Sequence, residues 1–556
     1  MGSSSLQTLD YIVFFFYFIL VAGYGSWIYW RKKNDAASSN DYFLAEGSLT
    51  WWAIGASLIA SNISAEQFIG MSGSGFKMGL GISTYEWMAA ATLIVVATFF
   101  MPIYLKNKIF TMPQFLNTRY NSTVSTIMAI FWLFLYIFVN LTAILYLGAL
   151  AVSTISGLDF NLCMYCLAAF AIIITLGGMK VIGFTDVIQV FFLIIGGLVT
   201  TYMAVSLVST NYGASGITEG FSIMRQNAGD HFHMIFQRDS PHYMALPGLT
   251  VLIGGMWIVN LNYWGCNQYI TQRALGAELK TSRQGILFAA FLKMLMPIIV
   301  VIPGIAAYVL HQKGMFQVEM LKDGKLNADN AYPVLLNLLP AGLKGLSFAA
   351  LTAAIVASLA GKANSISTIF TLDIYRKFLG KDTSEAGLVA IGRITVVVAI
   401  LIAIVASPYM GIDKEGGFQF IQEMTGLVSP GLFAAFFMGF FWKKTNSAGA
   451  LFAIVGGFII AVLMHFDQKV EWGTMGDIVK TSSDLFPFGE WSRVPFLDRM
   501  GYIFCICVAV MIVLGLWKPS DKGLEVDASM FKWDRTFAIG ATIIIAMLVA
   551  LYTYFW

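Results

Sequence analysis

The chain has 556 residues, of which 58% are hydrophobic and 12% are charged, and its formal net charge is +3. A soluble globular protein is about 45–50% apolar and about 25% charged, so this chain has too little polar material to cover a surface that faces water. The composition therefore excludes a soluble enzyme, a disordered chain and a nucleic-acid-binding protein, and it indicates a protein embedded in a lipid bilayer.

The first apolar segment, residues 11–30, indicates a permanent membrane helix. No positive charge precedes it and it has no small-residue cleavage site, whereas Arg31, Lys32 and Lys33 follow it directly. This pattern is typical of a helix inserted with its N-terminus outside, rather than of a cleaved signal peptide.

Fourteen apolar segments along the chain are each long enough to cross the hydrocarbon core, which takes about 20 residues in a helix. They lie at 9–30, 51–73, 78–105, 123–154, 159–177, 183–208, 247–272, 283–310, 341–375, 386–408, 416–442, 446–465, 500–517 and 534–556. Trp30, Trp51 and Trp442 fall at segment ends, as an aromatic belt requires. We therefore predict an all-α integral membrane protein with 14 transmembrane helices.

The positive charges predict the orientation of these helices. With the N-terminus outside, the loops on the cytoplasmic side carry a majority of the 34 Lys and Arg residues. An even number of spans returns both ends to the same side, so we expect the N- and C-termini outside. Lys293 and Lys362 lie within spans.

Two polar clusters interrupt apolar segments at membrane depth, where polar groups are costly unless they face protein or a water-filled cavity. The first covers residues 60–67 in the second segment, and the other covers 260–268 in the seventh. Broken helices at corresponding places in two halves indicate an inverted-repeat transporter with its binding site at the midplane. The alternative is a structural role, in which these polar residues only hydrogen-bond neighbouring helices to one another.

Further polar residues in the spans suit the hydroxyls of a sugar, because carboxylates accept protons, ammonium groups donate them, and amides do both. Tyr263 offers a flat ring to the apolar face of a pyranose. An alternative role for Lys293 is a structural ion pair with Glu66 or Glu86. The candidate sugar-binding residues are Asn62, Gln67, Glu86, Asn260, Lys293 and Gln422.

Motifs for catalysis are absent from the sequence: it has no HExxH, no GxSxG and no Walker glycine loop. Cys163 and Cys166 form a CxxC, but inside an apolar run, where we expect them to pack rather than to react. We therefore predict that the protein is not an enzyme. A membrane sensor would be expected to carry a soluble domain, whereas residue 556 closely follows the last span.

Five stretches, at 55–75, 177–192, 260–273, 353–375 and 418–431, resemble the solute:sodium symporter family, and the similarity extends over about residues 10–556. The resemblance implies a leucine-transporter-like core of ten helices, built from two inverted five-helix repeats with broken first helices. We place these repeats at 51–208 and 247–465 within a single transmembrane domain, 1–556. An extra helix at 9–30 precedes them, and two helices within 500–556 follow.

The resemblance also implies roles for individual residues. The sodium site would use Ala60, Ile63, Ala354 and Ser358, beside Ala357, where sugar symporters of the family have a second serine. Asp186 would assist cation release, although a helix N-cap is an equal alternative. Ala89 replaces a serine that faces the sugar in a galactose-transporting member, which leaves the substrate open. The implied gate residues are Tyr263, Phe418, Tyr85 and Tyr136.

Together these features predict a secondary active transporter in which a sodium gradient drives uptake of a hexose, galactose or glucose, by alternating access. The alternative is sodium or proton symport of myo-inositol, another polyol, proline or sialic acid. We expect sodium as the sole metal and no other cofactor. The expected partners are the sugar and the lipid bilayer, without nucleic acid, and a monomer is expected to suffice. The expected location is a plasma membrane, crossed many times, such as a bacterial inner membrane.

Overall fold

The structure is a computed structural model that describes residues 6–32, 50–109, 111–176, 179–275, 277–322, 324–409, 416–466, 494–520 and 522–556. The first half of the chain forms helices almost throughout. They are α1 (Thr8–Lys32), α2 (Trp51–Asn62), α3 (Ser72–Met78), α4 (Thr84–Val95), α5 (Met101–Lys106), α6 (Met112–Arg119), α7 (Ser122–Phe134), α8 (Thr142–Ser156), α9 (Phe160–Leu176), α10 (Met179–Asn211), α11 (Ile217–Asn227), α12 (Leu249–Ile253), α13 (Gly255–Gly265) and α14 (Gln268–Leu275).

The second half is helical too, apart from one short hairpin between α15 and α16. In that hairpin β1 (Leu321–Lys322) pairs antiparallel with β2 (Lys325–Leu326). The helices are α15 (Leu279–Gln312), α16 (Ala331–Leu336), α17 (Leu343–Thr368), α18 (Arg376–Phe378), α19 (Glu385–Ala406), α20 (Gly417–Gly426), α21 (Ser429–Phe441), α22 (Ser447–Leu451), α23 (Gly457–Phe466), α24 (Phe496–Trp517) and α25 (Arg535–Tyr554).

Several helices continue through segments with a different winding. Short 3₁₀ segments lie at Gly79–Ser83, Gly229–Phe232, Ala328–Asn330, Ser407–Tyr409 and Ala528–Phe531. Segments of π-helix, which often mark functional sites, lie at Glu66–Met71, Val96–Phe100, Leu135–Leu141, Ile369–Tyr375 and Phe452–Gly456.

The structure confirms an all-helical membrane protein. Among the described residues, nine helical stretches are long and apolar enough to cross a membrane, or ten if the bent pair α20 and α21 counts as one span. Helices lie at each of the fourteen predicted segments. The number of fourteen spans and the side on which the termini lie stay predictions.

The first predicted interruption, at 60–67, is present. α2 ends at Asn62, and Ile63 adopts an extended conformation with φ −73° and ψ 115°. Helical winding resumes at Ala65, and the π segment begins at Glu66. This break consists of Ile63 and Ser64, and both are buried, so their polar groups must find partners inside the protein.

The second interruption is narrower than the cluster at 260–268 predicts. Residues 260–265 remain helical in α13, and the chain leaves the helix at Cys266 and Asn267. The physical reason is that the Asn260 side chain finds its hydrogen-bond partner within the helix. Its amide donates to the Met256 carbonyl, four residues earlier, at 3.1 Å. A 51° bend between α20 and α21, which follows Gly426 and precedes Pro430, was not predicted.

Close contact between α2 and α15 holds the first break against a long neighbouring helix. A Cβ atom on Gly55 would lie 2.6 Å from the Gly285 carbonyl oxygen, so the two backbones touch. Small residues permit this approach between membrane helices. α15 also packs against α3, α4 and α10, and α10 packs against α17. α15 therefore packs against both the broken helix α2, which ends at Asn62, and α4, which carries Glu86.

Candidate functional site

A cavity lies among the broken α2, α4, the π segment at 135–141, α13, α15, α17 and α20. The space that it encloses, counted together with the part open to solvent, is about 810 Å³. All six predicted sugar-binding residues and all four predicted gate residues line this one cavity. They are Asn62, Gln67, Glu86, Asn260, Lys293, Gln422, Tyr263, Phe418, Tyr85 and Tyr136.

A buried ion pair forms part of the cavity wall. The Lys293 ammonium donates to a Glu86 carboxylate oxygen at 2.5 Å and also to the Asn62 side-chain oxygen. The Asn62 amide in turn donates to the Tyr263 hydroxyl at 3.2 Å. This chain of hydrogen bonds connects α4, α15, the end of α2 and α13, so the ion pair predicted as an alternative role for Lys293 is present, with Glu86 as its partner.

Aromatic rings cover the rest of the wall. The Tyr85 ring meets Phe418 edge to face, with 5.0 Å between centroids. The Tyr136 hydroxyl donates to the Asn267 side chain, and the Lys293 ammonium lies 5.2 Å from the centre of the Trp264 ring. A sugar ring needs flat apolar surfaces of this kind beside its polar partners.

The remaining polar side chains of the cavity differ in how many of their hydrogen-bonding groups already have partners within the protein. The side-chain oxygen of Gln67 accepts hydrogen bonds from the backbone amide and the hydroxyl of Ser64, at 3.1 and 3.3 Å. The Gln67 side chain therefore stabilises the break after α2. The Asn260 amide is held by its own helix. Gln422 lies in the cavity and is half-buried.

The predicted sodium ligands lie outside this cavity, on α2 and α17, which pack against each other. The Ser64 amide, which would otherwise bond the Ala60 carbonyl, donates to Gln67 instead. The Gln67 amide donates to Ser64 rather than to the Ile63 carbonyl. The break therefore releases both carbonyls from the helical ladder.

On the facing helix, the Ser358 hydroxyl is buried and has no hydrogen-bond partner among the described residues. Ala354 and Ala357 are buried beside it and offer no side-chain ligand. A monovalent hard cation prefers oxygen ligands, so two free carbonyls and one unpartnered hydroxyl form a suitable set. Asp186 lies within α10, and its side chain is outside the described part of the structure.

Two charged residues of the cavity received no sugar-binding role from the sequence. Glu66 and Lys362 both line it, with Asn140 and Asn267 nearby. The signal for Lys362 was available, because an ionisable residue inside a membrane span is functional by default. The cavity thus holds two carboxylates and two ammonium groups, and their formal charges cancel.

Comparison with known proteins gives consistent results. The sequence model of the Sodium:solute symporter family matches residues 42–457. The chain is 46% identical to a sodium/glucose cotransporter of Vibrio parahaemolyticus, over 99% of both chains. It is 35% identical to the human sodium/myo-inositol cotransporter 2, over 82% of this chain and 70% of the relative.

Solved structures share the fold at low sequence identity. A Na⁺-coupled sialic acid symporter in a substrate-bound outward-open state aligns with a TM-score of 0.74 at 22% identity, covering 92% of this chain and 99% of that one. Mhp1 in its inward-facing conformation aligns with a TM-score of 0.51 at 12% identity, covering 88% of this chain and 96% of the other.

Proposed function

The chain belongs to the sodium:solute symporter family, and from this premise we propose that it carries a neutral hexose, galactose or glucose, into the cell together with sodium. It is a multi-pass membrane transporter and not an enzyme. The observation that carries the substrate class is the buried cavity, in which carboxylates, ammonium groups, amides and aromatic rings converge.

Charge balance favours a neutral substrate. Glu66 and Glu86 are offset by Lys293 and Lys362, so a polyhydroxylated ring leaves the buried site neutral. Sialic acid is an anion, and its carboxylate would add a negative charge for which the cavity has no unmatched cation. Proline is a zwitterion without net charge, but it has no hydroxyl groups to bind the carboxylates and amides of the cavity. The alternative substrates are therefore not favoured, although myo-inositol shares the hydroxyl chemistry of a hexose. The human relative of the chain is a sodium/myo-inositol cotransporter.

The proposed sodium site comprises the carbonyls of Ala60, Ile63 and Ala354 with the Ser358 hydroxyl. The freed carbonyls at the break and the unpartnered hydroxyl support it. Because Ala357 contributes no oxygen, the ion receives one side-chain ligand from α17. Sodium bound between α2 and α17 would order the break that also carries Asn62 and Gln67, which couples the ion to the sugar cavity.

We place this site in a fourteen-helix protein with both termini outside and two inverted repeats, at 51–208 and 247–465. The helical run from Glu66 to Lys106 supports more than ten spans. It has 41 residues, or about 60 Å at 1.5 Å per residue, which is about twice the hydrocarbon core. Gly79, at φ 72°, interrupts it. A bacterial inner membrane and a functional monomer belong to the same proposal, as does cation release at Asp186.

Uptake by proteoliposomes tests the proposal. An inward sodium gradient is expected to drive accumulation of labelled galactose or glucose, and dissipation of the gradient is expected to abolish it. Replacing sodium by potassium is the matched control for ionic strength and membrane potential. Equal uptake in the two salts, or uptake driven by a proton gradient alone, would refute sodium coupling.

A further inference from the structure

Lys362 is a buried lysine that lines the transport cavity. It lies on α17, four residues after Ser358, and is 3% exposed. Its ammonium group donates to the Asn140 side-chain oxygen at 3.1 Å and lies 5.1 Å from the centre of the Tyr269 ring. An ammonium group has three N–H donors, and one of them is committed to an acceptor among the described residues. The others are available to whatever enters the cavity.

Glu66 lies on the same cavity and is also incompletely partnered. It is 8% exposed, and its Oε1 atom is buried without a hydrogen bond among the described residues. It attracts Lys362 electrostatically, yet the two are not within ion-pair contact. A buried carboxylate oxygen without a donor is costly. This oxygen therefore requires a hydrogen-bond donor, and a hydroxyl of a bound ligand can supply it.

The second charged pair of the cavity has a different character. Glu86 and Lys293 contact each other directly, and Lys293 also binds Asn62.

A neutral polyol can bridge Glu66 and Lys362, because one hydroxyl both donates and accepts. A further sodium ion would suit Glu66 alone, but the neighbouring ammonium group would repel it.

We propose that Glu66 and Lys362 form a second hydroxyl subsite, in which one hydroxyl of the substrate donates to Glu66 and accepts from Lys362. The subsite rests on the proposed function, since that hydroxyl belongs to the transported sugar. It also gives the cavity a means of discrimination that Ala89, which has no hydroxyl, does not provide. A site built to bind one hydroxyl rejects the analogue that lacks it.

Equilibrium binding of D-galactose, D-glucose and their monodeoxy derivatives to the purified full chain, in saturating sodium, tests the subsite. One monodeoxy sugar is expected to bind wild type at least about 10-fold more weakly than its parent, as for a hydrogen bond to a charged group. Lys362→Met is expected to bind the parent about 10-fold more weakly and to lose the discrimination against that analogue. Glu66→Gln is expected to reduce the same discrimination, and it answers the question if Lys362→Met does not fold.

Lys344→Met is the matched control, because Lys344 is a buried lysine on the same helix that does not line the cavity. It is expected to keep the wild-type selectivity. If both Lys362→Met and Glu66→Gln still distinguish the parent sugar from its monodeoxy analogue as wild type does, the subsite is refuted. It is also refuted if a variant loses affinity equally for every sugar and alters the sodium requirement. Unchanged selectivity with sodium-driven uptake leaves the proposed function standing. Altered selectivity with sodium-independent uptake refutes that function and leaves the subsite.

Discussion

The Lys293 ammonium and the Glu86 carboxylate form a 2.5 Å ion pair whose side chains are 1% and 4% exposed. Neither charge has access to bulk water, so each depends on the other for neutralisation. The pair nevertheless lines the cavity, which means that a sugar hydroxyl can reach the remaining donor and acceptor positions. A structural role and a substrate-binding role therefore coincide in the same two side chains.

Removing one partner of this pair is expected to lower the stability of the protein more than removing both partners. Glu86→Gln leaves a buried ammonium without its counter-charge, a change that typically costs about 3–5 kcal/mol. We expect a lower Tm and a loss of sodium-driven sugar uptake of at least about 100-fold. The double variant Glu86→Gln with Lys293→Gln is expected to recover much of the Tm but no uptake. Thermal unfolding and proteoliposome uptake measure the two effects, and full uptake by the single variant would contradict the assignment.

The sodium site predicts opposite effects of two neighbouring substitutions. Ser358→Ala removes the unpartnered hydroxyl and is expected to raise the sodium concentration for half-maximal uptake by about 10-fold, since a hydrogen-bond-strength contact to a charge is lost. Ala357→Ser adds a hydroxyl to the same helix and is expected to lower that concentration.

Sodium titration of uptake at saturating sugar measures both changes, with the sugar KM in saturating sodium as the control. A change in sugar KM without a change in sodium dependence would exclude these residues as ion ligands.

The sequence indicated much of this site because charged and amide side chains are rare and costly inside a membrane, and the six predicted sugar-binding residues all line one cavity. Asn62, Glu86 and Lys293 illustrate this, since each is polar within an apolar segment. The positions of the π-helical segments could not be predicted from the sequence. The π segments that carry Glu66 and Tyr136 depend on packing between helices, and no local motif marks them. Asn260 shows the converse, because a local hydrogen bond kept helical a residue for which a break was expected.

Gln422 offers a test of the sugar cavity that leaves the ion site untouched. Gln422→Ala is expected to raise the sugar KM by about 10-fold, because the cavity loses an amide that both donates and accepts. The sodium dependence of uptake is expected to remain unchanged. Gln419→Ala is the matched control on the same helix, since Gln419 bonds Glu423 at 3.2 Å and does not line the cavity. Similar effects of the two variants would argue against a specific role for Gln422.

A buried acid outside the predicted spans predicts a pH effect on stability. Asp329 accepts the Gly417 amide at 2.9 Å, at the start of α20, and faces Lys77 and Lys322. Burial raises the pKa of Asp329 to about 6, from an ordinary value of 3.8, despite the opposing effect of these partners. The folded protein therefore binds this proton more tightly than the unfolded chain, and the stabilisation from protonation is lost as pH rises from about 4 to about 6.

Asp329→Asn keeps an acceptor for Gly417 but cannot ionise. At pH 7.5 the variant avoids the cost of a buried carboxylate, so we expect its Tm to exceed that of wild type by a few degrees. Towards pH 5 the wild-type carboxyl becomes protonated, and the two Tm values are expected to converge. His231, whose pKa is lowered by burial, destabilises both proteins on acidification, so the difference between them isolates Asp329. Thermal unfolding from pH 5 to 7.5 measures it, and a Tm difference that does not vary with pH would show that Asp329 does not titrate in this range.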